Sequence, residues 1–136
     1  MRLCVDSWFL LELAKENKHA IKIIKDAENG KHTLFVPALA ISELTVKLYQ
    51  KGNSLLADAM IANLVSLENI ILVDVNIDIA KEIAKMKHSL SLSLADASMV
   101  ATYKMTKSDF FLAADSDYKT AINQNVVKIK PLEEIK

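Results

Sequence analysis

The sequence predicts an α/β fold, a three-layer α/β/α sandwich with helices on both faces of a mostly parallel central sheet. Three observations predict it. Short apolar runs without polar alternation recur along the chain, as expected of strands buried on both faces. Segments with apolar residues at helical spacing separate them, so strand and helix alternate from end to end. The 136 residues, 51% hydrophobic and 25% charged, amount to a single domain over 1–136 that can bury a core, and two Gly and two Pro are too few for a disordered chain.

Leu3-Cys4-Val5 is the first strand, and Asp6-Ser7 opens a helix that runs to about Glu16. His19 to Ala27 sets Ile21, Ile23 and Ile24 among lysines and acids, and Asn29-Gly30 stops this second helix. Leu34-Phe35-Val36 is the next strand. Pro37 suits the first turn of a helix that continues from Ala38 to Gln50, and Asn53-Ser54 can cap another reaching about Leu67. Ile70 to Val73 is a strand; Asn76 to Lys87 is a helix, with Ile79, Ile83 and Met86 at helical spacing. Ala95 to Thr106 is a further helix, Phe110-Phe111-Leu112 a strand, and Val126 to Ile129 a last strand ended by Pro131.

Several function classes fall away. The longest apolar run, Leu34 to Ile41, is far shorter than the roughly 18–20 residues of a membrane-spanning helix. Arg2, Asp6, Glu12 and Lys15 break up the N-terminus, so a signal peptide is not expected and a cytoplasmic location is. One Cys forms no internal disulfide, and three scattered His supply no zinc pattern. Lys+Arg and Asp+Glu balance at 17 each, so no overall positive field points to nucleic acid. Lys15, Lys18, Lys22 and Lys25, joined by Lys81, Lys85, Lys87, Lys104 and Lys107, could supply local positive patches for a nucleic-acid backbone, though most are expected on ordinary solvated faces.

The acids are more informative. Asp6 directly follows the first strand, and Asp115 and Asp117 follow Phe110 to Ala114, so each sits where α/β folds bind ligands, beyond the carboxyl ends of strands. Glu43 lies in the otherwise apolar Ala38 to Val46, where a buried carboxylate needs a partner or a metal. Asp96 begins a helix. Each has a structural explanation as well. Asp6 suits a helix N-cap, Glu43 an i,i+4 pair with Lys47, Asp96 a capping box with Ser93, and Asp115 and Asp117 a turn. No single one of these explains why all should face one sheet edge. Carboxylates gathered there need a hard cation, Mg²⁺ or Mn²⁺, and such a site suits phosphodiester hydrolysis.

Leu3-Cys4-Val5-Asp6-Ser7, Val36-Pro37 with Ile41-Ser42-Glu43-Leu44, Leu94-Ala95-Asp96-Ala97, and Phe111 to Tyr118 together resemble the PIN-domain nucleases. Across nearly the whole chain the sequence is similar to VapC-type toxins of toxin–antitoxin pairs. The resemblance implies a PIN-like sheet of about five parallel strands, with the third, second, first, fourth and fifth side by side in that order. It implies that Asp6, Glu43, Asp96 and Asp115 are the catalytic acids holding Mg²⁺ or Mn²⁺, with Asp117 as a fifth ligand and Ser7 orienting Asp6. The implied activity is cutting of single-stranded RNA by metal-activated water, leaving 5′-phosphate and 3′-hydroxyl ends. A homodimer and an antitoxin whose peptide covers the acidic groove are implied too. Leu10, Leu13 and the Leu55 to Leu67 helix carry more apolar surface than so small a sheet needs, which also favours a dimer.

Two positions depart from the family pattern. Ala113 stands where many relatives carry Thr, and Tyr118 where Phe is usual. The first removes a hydroxyl that would brace Asp115, and so motivates an alternative: a catalytically weak or inactive PIN-fold module that binds RNA or protein. A haloacid-dehalogenase-like phosphatase built on Asp115-Ser116-Asp117 fails, because that motif belongs after the first strand. Asp74 and Asn76 lack the glycine and terminal Glu of a calcium loop and are a turn and a cap. Trp8, Phe9, Tyr49 and Tyr103 have the spacing of core or interface residues rather than base-stacking ones. Cys4 is expected as an inert buried thiol, and His19, His32 and His88 in surface or loop positions.

Overall fold

Parallel strands need long crossovers, and the sequence supplies two helices before nearly every return to the sheet. The computed structural model describes every residue from Met1 to Lys136. Strand β1 (Arg2–Val5) leads through α1 (Ser7–Ala14) and α2 (Lys18–Glu28) to β2 (Thr33–Pro37). Helices α3 (Ala38–Gln50) and α4 (Ser54–Ser66) lead on to β3 (Ile70–Val73), and α5 (Ile77–Leu90) and α6 (Leu94–Met105) to β4 (Phe110–Leu112). A 3-10 turn (Asp115–Asp117), the short α7 (Lys119–Asn123) and a second 3-10 turn (Leu132–Glu134) follow.

The sheet order is β3-β2-β1-β4, with every pairing parallel. Cys4 of β1 lies opposite Phe35 on one side and Phe111 on the other. All four strands therefore end at one edge. The steps β1 to β2 and β2 to β3 run the same way across the sheet, whereas β3 to β4 runs back, so right-handed crossovers place α1 to α4 on one face and α5 and α6 on the other. Leu3, Cys4, Val5, Leu34, Val36, Phe111 and Leu112 are fully buried between these layers, which is why the strands read as continuous apolar runs.

The expected fifth strand is reduced to one bridge, Phe111 with Ile129. Its position beside β4 is the anticipated one, but a ladder cannot propagate there. The Phe111 amide donates to Lys128 O at 2.7 Å, while the Lys128 amide donates to the Tyr103 hydroxyl at 3.3 Å instead of to a strand carbonyl. Pro131 then brings no amide hydrogen.

Helix ends deviate for equally local reasons. α1 stops at Ala14, short of Glu16, which takes a left-handed φ of 61° before Asn17 caps α2 through the amides of His19 and Ala20. α5 continues past Lys87 to Leu90 and ends on Ser91 at φ 53°. Asn76 caps α5 through the Ile79 amide, as expected, whereas Asn53 makes no side-chain capping bond. His32 lies in the loop before β2, as one of the expected settings, but is buried there: its Nδ1 lies 3.3 Å from the N-terminal ammonium, and burial lowers its pKa. Leu10 belongs to the core and offers nothing to a partner, but Leu55 is 82% exposed. Cys4 is buried, and burial raises its thiol pKa, as an inert thiol requires. No helix is long and apolar enough to cross a membrane.

Candidate active site

The parallel pairing fixes Asp6 at the carboxyl edge. Its amide donates to Leu112 O at 3.3 Å, adding one bond to the β1–β4 pairing, and α1 begins at the next residue. Asp6 Oδ1 accepts from the amides of Trp8 at 2.9 Å and Phe9 at 3.4 Å, so the N-cap anticipated for this residue is present. A cap uses one oxygen and stays wet; here the residue is only 4% exposed and the second oxygen has another partner. Asp6 Oδ2 accepts from the Tyr118 hydroxyl at 3.1 Å.

The same hydroxyl lies 3.3 Å from Asp96 Oδ1, so Tyr118 stands between two carboxylates. Because α6 leads into β4, its first turn lies at the carboxyl edge, and that brings Asp96 to Asp6. The capping box is half formed. Ser93 Oγ accepts from the Asp96 amide at 3.1 Å, but the Asp96 carboxylate takes the Tyr118 hydroxyl rather than the Ser93 amide. Tyr118 is 1% exposed, and its ring packs edge-on against Phe111 at 4.9 Å, so the hydroxyl has little freedom.

Glu43, in the second turn of α3, accepts from the Ser7 hydroxyl at 2.9 Å. It makes no ion pair with Lys47. The Ser7 hydroxyl thus bonds Glu43, where the resemblance would have it orient Asp6. Asp115 and Asp117 occupy the exposed 3-10 turn that ends at Tyr118. Asp117 is the acid whose charge bears most on Asp96. Asp115 lines a neighbouring cavity of about 420 Å³ together with Trp8, Ala113, Ala114, Lys130 and Pro131. The structure therefore joins Asp6 to Asp96 through the Tyr118 hydroxyl, places Glu43 beside them on Ser7 and Asp117 near Asp96 by its charge, and leaves Asp115 at the periphery, with no side-chain hydrogen bond and only methyl groups at Ala113 and Ala114 before it.

Burial and crowding act on these groups in one direction. Burial, followed by the Asp96 charge and opposed by the Tyr118 hydroxyl and the two helix amides, pushes the Asp6 carboxyl up from 3.8 to about 7. Asp96 is raised, first by burial and then by Asp117 and Glu43. The Tyr118 phenol is pushed far above its ordinary value by burial and by both carboxylates, so it remains a proton donor. None of the five acids forms an ion pair; the carboxylates that do are Glu12, Asp26 and Glu82. Lys15, Lys22, Lys85 and Lys104, candidates for a basic patch, are among the partners of those three.

No three of the acids are gathered closely enough to enclose an ion. A hard divalent cation needs less, since Mg²⁺ takes one or two carboxylates and keeps several waters. The donor set is all oxygen, and buried Asp6 beside Asp96 lacks a positive partner, so these residues fit such an ion. Sequence reasoning missed the part played by Tyr118. The one signal was Tyr in place of Phe, a change that reads as mild until the hydroxyl is seen to point at two acids.

A family model for the PIN domain matches residues 3–122. No curated protein sequence matches. Among solved structures, the chain is similar to VapBC2 from Rickettsia felis, described as bound to a DNA fragment from their promoter, with TM-score 0.72, 9% identity, and 96% of this chain and 98% of that one covered. It is similar to VapC20 from Mycobacterium tuberculosis, described as a sarcin-ricin loop cleaving toxin, with TM-score 0.70 and 16% identity over 88% of this chain and 94% of that one. A toxin–antitoxin complex from Klebsiella pneumoniae matches with TM-score 0.63 and 14% identity, covering 85% of this chain and 89% of that chain. At such identities the likeness is one of fold.

Proposed function

The chain belongs to the PIN domain family, and from that premise we propose that it is a Mg²⁺- or Mn²⁺-dependent endoribonuclease that hydrolyses phosphodiester bonds of single-stranded RNA, as the toxin of a VapBC-type toxin–antitoxin pair. One observation carries the reading: Asp6 is buried against a second carboxylate, shares one phenolic proton with it and has no cation of its own. A helix cap needs none of this. An ionised pair in that setting is costly unless an ion neutralises it.

Asp6 and Asp96 would hold the ion, with Glu43, Asp115 and Asp117 reaching it through water. When bound, Mg²⁺ or Mn²⁺ supplies the positive charge that polarises water and the scissile phosphate for in-line displacement. The chain's own residues prepare the place. Tyr118 fixes the two central carboxylates relative to each other, Ser7 turns Glu43 toward them, and the amides of Trp8 and Phe9 hold Asp6 in one rotamer. The surrounding strands keep bulk water from the inner side of Asp6.

The reading includes a cytoplasmic site of action and two protein partners. An antitoxin whose peptide covers the acidic groove is supported by structural neighbours described as toxin–antitoxin and VapBC structures. A second copy of the chain is supported by Val46 and Tyr49 on α3 and Leu55 and Val65 on α4, all more than half exposed. One observation favours a second reading, a binding module with little or no catalysis: Asp115 lacks the bracing hydroxyl and stands apart from the Asp6–Asp96 pair. Cleavage of a fluorogenic single-stranded RNA with Mn²⁺, Mg²⁺ or EDTA, beside Asp96→Asn, separates the two. Metal-dependent cutting lost in the variant is expected; RNA binding with no cutting under any condition would establish the module instead.

A further inference from the structure

We propose that the cavity beside Asp115 is a nucleobase subsite, which takes the base of the nucleotide next to the phosphodiester that the carboxylate centre cleaves. This inference rests on the ribonuclease reading. Trp8 forms one wall, and its backbone is fixed to the centre because its amide donates to Asp6 Oδ1 at 2.9 Å. Its side chain is neither buried, as a core tryptophan would be, nor free; it is half-buried and lines an open cavity. An indole face held in that way stacks on any nucleobase.

Lys130 and Pro131 line the same cavity. Lys130 is half-buried, lies 4.7 Å over the Phe110 ring and has no carboxylate partner, so a cation stands at the cavity with its charge uncommitted. A flanking phosphate supplies the charge it lacks. Ala113, Ala114, Ile122 and Ile129 complete an apolar lining. Its volume, about 420 Å³, lies within the roughly 300–1,000 Å³ of small-ligand sites. Only an unpaired base can present its face to Trp8, so the subsite selects single strands. Asp115 belongs both to the cavity and to the turn that carries Asp117 and Tyr118, and so connects the subsite to the acids.

Trp8 is the only tryptophan of the chain, so its emission reports on this cavity. Wild-type protein is titrated with pentauridylate and pentaadenylate, with Ca²⁺ in place of Mg²⁺ to suppress cutting. Trp8 emission is followed with unlabelled oligonucleotide and anisotropy with a fluorescein-labelled one. Saturable quenching with the same Kd as the anisotropy change is expected. Trp8→Leu and Ala114→Leu, two changes to the lining, should each weaken anisotropy-detected binding about tenfold, with melting curves confirming that both variants fold. Binding that leaves Trp8 emission unchanged and survives both substitutions overturns the subsite and spares the nuclease reading. No binding of either oligonucleotide overturns both.

Discussion

Replacing Asp6 with Asn should stabilise the metal-free protein in alkaline solution and destabilise it in acid. The folded chain holds the Asp6 carboxyl at about 7 against an ordinary 3.8, chiefly through burial. A group whose pKa is raised on folding contributes fully below its unfolded value, and that contribution is lost as pH rises through the folded one. Some three units at about 1.4 kcal/mol each amount to a burden of about 4 kcal/mol by pH ~8. Asn keeps an oxygen for the Trp8 and Phe9 amides, but its nitrogen cannot accept from Tyr118, and the cap loses its charge; these losses cost about 1–2 kcal/mol. The net gain is about 2–3 kcal/mol at pH ~8, or roughly 6–10 °C in Tm for a chain of this size. Near pH ~4 the carboxyl is protonated in the fold, the burden is gone and only the losses remain, so the order of stabilities reverses. Thermal unfolding followed by circular dichroism in EDTA at both pH values provides the test. A variant equally less stable at both would refute the claim that Asp6 is an ionisable group burdened by its surroundings.

Manganese should stabilise the wild type by about 2.7 kcal/mol at a hundredfold excess over Kd, read as a Tm that rises with the logarithm of its concentration, and should leave the Tm of an Asp6→Asn/Asp96→Asn double variant unmoved. Tyr118→Phe keeps the ring against Phe111 and deletes only the hydroxyl; Mn²⁺ affinity measured by calorimetry should fall roughly tenfold or more, and unchanged affinity would remove Tyr118 from the site. Ala113→Thr should raise metal-dependent cleavage per molecule at a stability cost of about 1–2 kcal/mol, because it restores a hydroxyl beside Asp115 at a buried position; turnover at or below wild type would show that Asp115 needs no such brace.

The alternation of elements was legible because strands buried on both faces must be continuously apolar, and Leu3 to Val5, Leu34 to Val36 and Phe110 to Leu112 are. The convergence of Asp6 and Asp96 followed from topology once the strands were taken as parallel. What could not be read depended on where individual polar atoms point. The fifth strand fails because a tyrosine hydroxyl takes the Lys128 amide. Glu43 turns to Ser7, 36 residues away, and not to Lys47 one helical turn along, a choice that only the fold decides. Tyr118 looked like a mild aromatic exchange because its effect lies in one hydroxyl, whose direction is set by packing against Phe111. His32 and Leu10 show the same limit for burial, which composition constrains on average but does not assign to a residue.

The segment around Ile129 is fastened to the sheet by one bridge and backed by a proline, while the acids sit on strand ends and helix starts that the whole core holds in place. Inheritance can treat the two unequally. Substitutions at Lys130 or Pro131 reshape the wall of the cavity without disturbing a ladder, whereas a change near Asp6 or Asp96 propagates into β1 or α6. On the ribonuclease reading, the preference for a base in that cavity can therefore change while the acids stay fixed.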